Sequence, residues 1–282
     1  MRANVPPTAL EGVYAKLSRA RHHAHELQKL VDDIFEEDRH RFIAEEDVVG
    51  VRLYRAVGVP SVSPEISAVL GDFLANMRAS LDHLAYQLAM RDGGGSLSHL
   101  DPDAQISFPI HESPMTPKGR LRRLEIPGVS DPQVIEAITE VQPYVSEREN
   151  PAASPLSVLR RLRNIDQHRL LLVVVSVLDS GRMWWGSNDG DPIPRIRVSL
   201  LPVMEGEPVA WFDFRGEPPP KDFNPHLELK IRLNHGPRGS LEHEAGLTDL
   251  VSMIYSHVEH FVIGMKFSAF FGAGVRHGHS AL

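Results

Sequence analysis

Four stretches of the chain carry apolar residues at alternating three- and four-residue steps, a period that gives each one helical face to bury. The first runs Leu10, Val13, Leu17, Ala20, Ala24, Leu27, Val31 and Ile34. The second runs Ile66, Leu70, Phe73, Met77, Leu81, Leu84 and Leu88. The third has Leu159, Leu162 and Ile165 and continues into Leu170–Leu178, and the fourth has Leu247, Val251, Ile254, Val258, Phe261 and Met265. Start signals accompany them: Thr8 with Glu11 spells a capping box, and Ser63-Pro64 and Ser154-Pro155 place an N-cap before a proline at the first helical position. Gly93-Gly94-Gly95 stops the second. The pattern predicts helices near 9–38, 64–91, 155–178 and 241–270, packed as a bundle.

Between the helices the period changes to two. Leu227, Leu229, Ile231 and Leu233 alternate with Glu228, Lys230 and Arg232, and Ile196, Val198 and Leu200 alternate with Arg195, Arg197 and Ser199. Val49, Val51 and Leu53 do likewise, and Val209–Phe214 is rich in aromatics. Turn signals such as Asn188-Asp189-Gly190 and Glu205-Gly206-Glu207-Pro208 separate the runs. The expected fold is therefore α+β. It is a four-long-helix bundle with a small inserted antiparallel β-sheet from 47–58 and 193–235, and residues 1–282 form a single domain. Region 92–150 reads as irregular, with short helical pieces near 117–124 and 131–141.

Composition removes several function classes. The chain has no cysteine, so thiolate metal sites, disulfides and a cysteine nucleophile are excluded. No apolar run is long enough to cross a bilayer and no signal peptide is spelled at the N-terminus, so a soluble cytoplasmic protein without a membrane partner is expected. The net charge of −7 argues against indiscriminate nucleic-acid binding, though a local basic patch is compatible with it. No phosphate-binding glycine loop follows a strand, and no Gly-x-Ser-x-Gly elbow is present.

The richest chemistry lies in Arg160-Arg161-Leu162-Arg163-Asn164-Ile165-Asp166-Gln167-His168-Arg169, where six of ten side chains are ionisable. Arginine presents a fixed fork of donors suited to phosphate. Histidine can move a proton near neutrality. The two together supply the minimum for RNA cleavage by internal transfer.

The spelling Arg163-Asn164-Ile165-Asp166-Gln167-His168 resembles the arginine, polar residue, three residues, histidine signature of the HEPN superfamily. These are helical-bundle proteins, many of them metal-independent ribonucleases of toxin–antitoxin and defence systems. The wider pattern is similar to a group of uncharacterised bacterial proteins, through Arg78–Leu84, Phe108-Pro109-Ile110, Gln142-Pro143-Tyr144 and Asn164–Leu172. The resemblance implies a HEPN-like bundle acting as a homodimer on RNA, without metal or cofactor, with an antitoxin or other protein as a possible further partner. It assigns His168 as acid/base, Arg163 as phosphate clamp and Asn164 as orienter. Arg161, Asp166, Arg169, Asp82 and His83 are supporting candidates. The inserted sheet departs from a minimal HEPN domain.

Helical geometry poses a demand. Asn164 and His168 share a face, but Arg163 lies five residues from His168, about 140° round a straight helix. A second copy of the chain, or a break in the helix near Arg163, is needed to bring the two together. A protein that stays monomeric at micromolar concentration would contradict the dimeric mechanism.

The competing expectation is a non-catalytic interaction or ligand-binding protein in which these residues form a buried network, with Asp166 and Arg169 as a plain ion pair. Burial separates the two: a cleft with Arg163, Asn164 and His168 open to solvent favours the first reading, and their occlusion with all partners satisfied favours the second. The second helix adds a polar stripe of Asn76, Ser80, His83 and Gln87 and an i,i+4 pair of Arg78 and Asp82. His22/His25 and His257/His260 have a spacing that can hold a metal, but solvent or core histidines are the expected reading. Glu37-Asp38-Arg39-His40 is the one Glu-x-x-His spelling, and His243-Glu244 lacks the second histidine of a zincin. Trp184-Trp185 could stack on a base or cap a bundle end.

Overall fold

The computed structural model describes residues 10–36, 40–48, 50–98, 100–101, 103–115, 118, 126–177, 192–199, 201–234 and 245–265. Six α-helices are present among them: α1 Glu11–Glu36, α2 Pro64–Asp92, α3 Pro132–Glu140, α4 Pro143–Ser146, α5 Pro155–Asp166 and α6 Leu247–Met265. Six strands accompany them: β1 Arg41–Val48, β2 Val51–Val57, β3 Val173–Val177, β4 Arg195–Val198, β5 Pro208–Asp213 and β6 Leu229–Leu233. The α+β class is as expected. The four-long-helix bundle is not, because the third long helix does not exist as predicted and the strands form two antiparallel sheets rather than one.

The correction turns on one stretch. Residues 155–178 were expected to be helical throughout, but α5 ends at Asp166 after 12 residues. Gln167 closes it, donating its N–H to the carbonyls of Arg163 and Ile165, and the N–H groups of His168 and Arg169 both return to the Ile165 carbonyl. The apolar run that follows is β-branched: Val173, Val174, Val175 and Val177 are stiff at χ1 and suit a pleated surface. They pair with β6, setting Val173 opposite Leu233 and Val175 opposite Ile231.

The chain clusters into two compact units. The first comprises Met1–His25, Val69–Leu170 and Val251–Leu282. It is helical, with a core that includes Val13, Leu17, Phe73, Met77, Leu81, Leu84, Leu159, Leu162, Ile254 and Val258, all nearly inaccessible to water. Gly93 to Gly95 form the turn that stops α2, as expected; Gly94 and Gly95 take φ of 68° and 92°, a region that favours glycine. The same end is pinned by charge. Arg91, buried, reaches Asp92 at 2.6 Å and Asp131 at 3.2 Å. Burial alone would raise the Asp92 carboxyl, but the N–H groups of Ser130 and Asp131 and the Arg91 guanidinium outweigh it and leave the pKa lowered.

The second unit comprises Glu26–Ala68 and Leu171–Leu250. It holds a four-stranded sheet in the order β1-β2-β5-β4 and the separate β3-β6 pair. α2 opens as the sequence predicts, with Pro64 at its first position and the Ser63 hydroxyl accepting the Glu65 N–H at 3.2 Å. Gly50, between β1 and β2, has φ of 82°, and a Cβ there would meet the backbone of Gly216 at 2.7 Å. Aromatic rings fill the sheet's buried face: Phe212 lies edge-on to Tyr54 at 5.5 Å and to Phe223 at 5.0 Å. β1 was not foreseen as a full strand. No helix among the described residues is long and apolar enough to cross a membrane.

Several expectations fall outside the described residues: Thr8, Glu37 to Arg39, Val49, Trp184-Trp185, Leu200, His243-Glu244 and most of 117–124.

Candidate functional site

α5 carries the arginine-rich segment, and its arginines have structural partners. Arg160 donates to the Ile110 carbonyl at 3.0 Å and to Glu112 at 2.7 Å. Arg161 donates to the Ala152 carbonyl at 2.9 Å and lies 3.5 Å from Glu112. Arg163, with 27% of its side chain exposed, donates through Nη1 to Asp166 at 2.9 Å. The expected Asp166–Arg169 pair is thus replaced by Arg163–Asp166. Asp166 itself lies against α2 at Gly71, where an added Cβ would collide with its Oδ1.

The residues named for chemistry beside Arg163 are open. Asn164, Gln167, His168, Arg169 and Leu170 are all exposed on the last turn of α5 and the bend after it. α5 ends at Asp166, between Arg163 and His168, and Gln167 still has helical φ and ψ of −61° and −23°, so no break near Arg163 brings the pair together within one chain. His168 lies in the turn that closes α5, its N–H bonded to the Ile165 carbonyl.

Asp82 and His83 make their contacts elsewhere on α2 and its neighbours. Asp82 accepts Arg78 Nε at 3.0 Å and the Phe108 N–H at 2.9 Å, while Arg78 Nη2 donates to the Phe108 carbonyl at 2.9 Å. His83 is exposed and its ring faces α1, 3.0 Å from where a Cβ on Gly12 would stand. The remaining stripe residues split: Ser80 is buried and donates to the Met77 carbonyl, and Asn76 donates to the Asp72 carbonyl.

These contacts explain why polar residues from four stretches share one region. Phe108–Glu112 is irregular backbone with no ladder to satisfy its polar groups, so side chains do it instead. Arg78 and Asp82 hold Phe108 at both ends. Buried Gln142 accepts the His111 N–H at 2.9 Å and donates to the carbonyls of Pro109 and Ile138 at 2.9 and 3.1 Å. Arg160 takes the Ile110 carbonyl and Glu112.

A second feature of this unit was visible in sequence only as a histidine pair. A groove of about 580 Å³ is lined by Val141, Pro155, Met253, Ser256, His257, His260 and Phe261. His257 Nε2 is buried and has no hydrogen-bond partner among the described residues. Burial pushes its pKa down, opposed by nearby Glu147 and assisted by His260. Ser154 occupies the N-cap position of α5 but makes no side-chain cap bond, and its hydroxyl, like that of Ser157, is buried without a partner there. Among the described residues, no three histidine or carboxylate groups converge as a metal site.

Compared with protein-family models, curated proteins and solved structures, the chain matches none.

Proposed function

We propose that the protein is an RNA-binding protein that cleaves RNA without metal, as a homodimer, at the exposed end of α5. The observation that carries the reading is the exposure of Asn164 and His168 beside a partly buried Arg163 that Asp166 fixes in place. Arg163 spends one corner of its guanidinium fork on Asp166, and a fork of five donors has capacity for a phosphate oxygen besides. In the reaction, neutral His168 takes the proton of a ribose 2′-hydroxyl as that oxygen attacks the adjacent phosphorus. The bond to the 5′-oxygen breaks, and a protonated His168 from the second copy of the chain supplies the leaving group's proton. The products are a 2′,3′-cyclic phosphate and a 5′-hydroxyl. With His168 the one proton-transferring group assigned in each chain, the two proton transfers of a turnover draw on two chains.

A second reading, an interaction protein in which the segment is structural, draws on the engagement of Arg160, Arg161 and Arg163. The two readings part at His168. Its replacement by alanine leaves stability intact in both, but lowers cleavage in the presence of chelator by about 100-fold or more only in the first. Equal activity in wild type and His168→Ala, or a monomer at micromolar concentration, overturns the ribonuclease proposal.

A further inference from the structure

The α6 groove has a chemistry of its own. Phe261 forms one wall, and its ring is set edge-on against buried Phe108 at 5.3 Å. Phe108 is in turn gripped at its N–H and carbonyl by Asp82 and Arg78. The aromatic wall is therefore backed by a clamped segment rather than by a loose side chain. Next to it stands His257, whose pKa is lowered by burial and whose Nε2 is itself buried and unpartnered among the described residues. Met253 and Pro155 make the rest of the lining largely apolar, and exposed Ser256 and His260 add polar groups.

Such a lining selects against ions. A neutral histidine in an apolar wall does not offset an anion's desolvation, and no convergent ligand set is present for a cation among the described residues. It suits an uncharged flat molecule with an apolar face and a hydrogen-bonding edge. The volume lies within the usual range of small-molecule sites, about 300–1,000 Å³. The groove touches α5 at Pro155, and Asn164 lies nine residues further, about 14 Å along the helix and about 180° round it. A strand that reaches both must therefore pass round α5 and not along one face.

We infer that this groove holds a nucleobase of the RNA against Phe261 and the His257 ring, so that one position of the RNA carries a base preference. The inference rests on the RNA reading above and names a substrate contact for it. A nucleoside has no phosphate, so it reports on the groove independently of Arg163 and His168. The test titrates adenosine, guanosine, cytidine and uridine into the full chain while following the His257 ring resonances by NMR.

The expected result is saturable binding that differs between bases, with a shift of the His257 signals. Phe261→Ala should weaken it about fivefold to a hundredfold, the range of single base–aromatic stacks. Ser256→Trp, at an exposed position that tolerates substitution, should block it, and His168→Ala should leave it unchanged. No binding to wild type at millimolar nucleoside overturns the inference, as does binding indifferent to both Phe261→Ala and Ser256→Trp. If nucleosides bind but no RNA is cleaved, the ribonuclease reading fails and the groove stands as a nucleoside site. If cleavage depends on His168 and no nucleoside binds, the groove fails and the ribonuclease reading stands.

Discussion

Gln142→Ala removes three hydrogen bonds at once, two to the irregular segment 108–112 and one to α3. Its Oε1 accepts the His111 N–H, and its Nε2 donates to the carbonyls of Pro109 and Ile138, all within 3.1 Å. The side chain is fully buried, so water does not take its place without rearrangement. At about 1 kcal/mol net per bond the loss is about 3 kcal/mol, rising towards 5 kcal/mol if the stranded backbone groups stay dry. The assay is urea unfolding followed by circular dichroism, with Arg160→Ala as comparison. Arg160 serves the same segment from a side chain 42% exposed, so its loss should cost no more than about 1 kcal/mol. Gln142→Glu keeps the acceptor for His111 but faces a carboxylate with two carbonyls at neutral pH, and should be at least as unstable as the alanine variant. A loss below about 1 kcal/mol in Gln142→Ala would refute the view that side chains replace a missing strand partner here.

Two further outcomes follow from the same geometry. Gly71→Ala drives a methyl into Asp166 Oδ1 and should cost about 1–3 kcal/mol in urea unfolding, much of it recovered in the double variant with Asp166→Ala; strict additivity would remove the contact from the account. His257 has a folded-state pKa held down by burial, so the unfolded chain binds this proton more readily and unfolding takes it up. Stability should therefore fall as pH drops below about 6.5, the unfolded value, and His257→Gln should flatten that part of the profile relative to wild type.

Much of the helical framework was legible in the sequence, because α1, α2 and α6 each carry a 3.6-residue period and α2 adds local start and stop chemistry. Ser63-Pro64 and Gly93 to Gly95 act through their own backbone neighbours, so their spelling suffices. The third helix misled because a continuous apolar run carries no period. Leu170–Val177 fits a buried helix or a buried strand, and the run of valines that pairs with β6 decided for the strand. β1 was missed because Arg41–Val48 is a sheet edge without clean alternation.

The candidate site was legible as residue types but not as partners. Arg163 is already paired with Asp166, and Asp82 binds Phe108, 26 residues away along the chain. Contacts of that range depend on where irregular backbone passes, which spacing does not encode. His257 and His260 were seen as a pair, but the groove exists only because Val141 and Pro155 come alongside from elsewhere.

The central claim is that the exposed end of α5 cleaves RNA through His168. The most direct measurement incubates purified protein with single-stranded RNA in excess chelator and compares wild type with a folded His168→Ala variant. The account predicts cleavage by wild type leaving 2′,3′-cyclic phosphate ends, reduced about 100-fold or more in the variant. Intact RNA with wild type, or equal cleavage by both proteins, would contradict it.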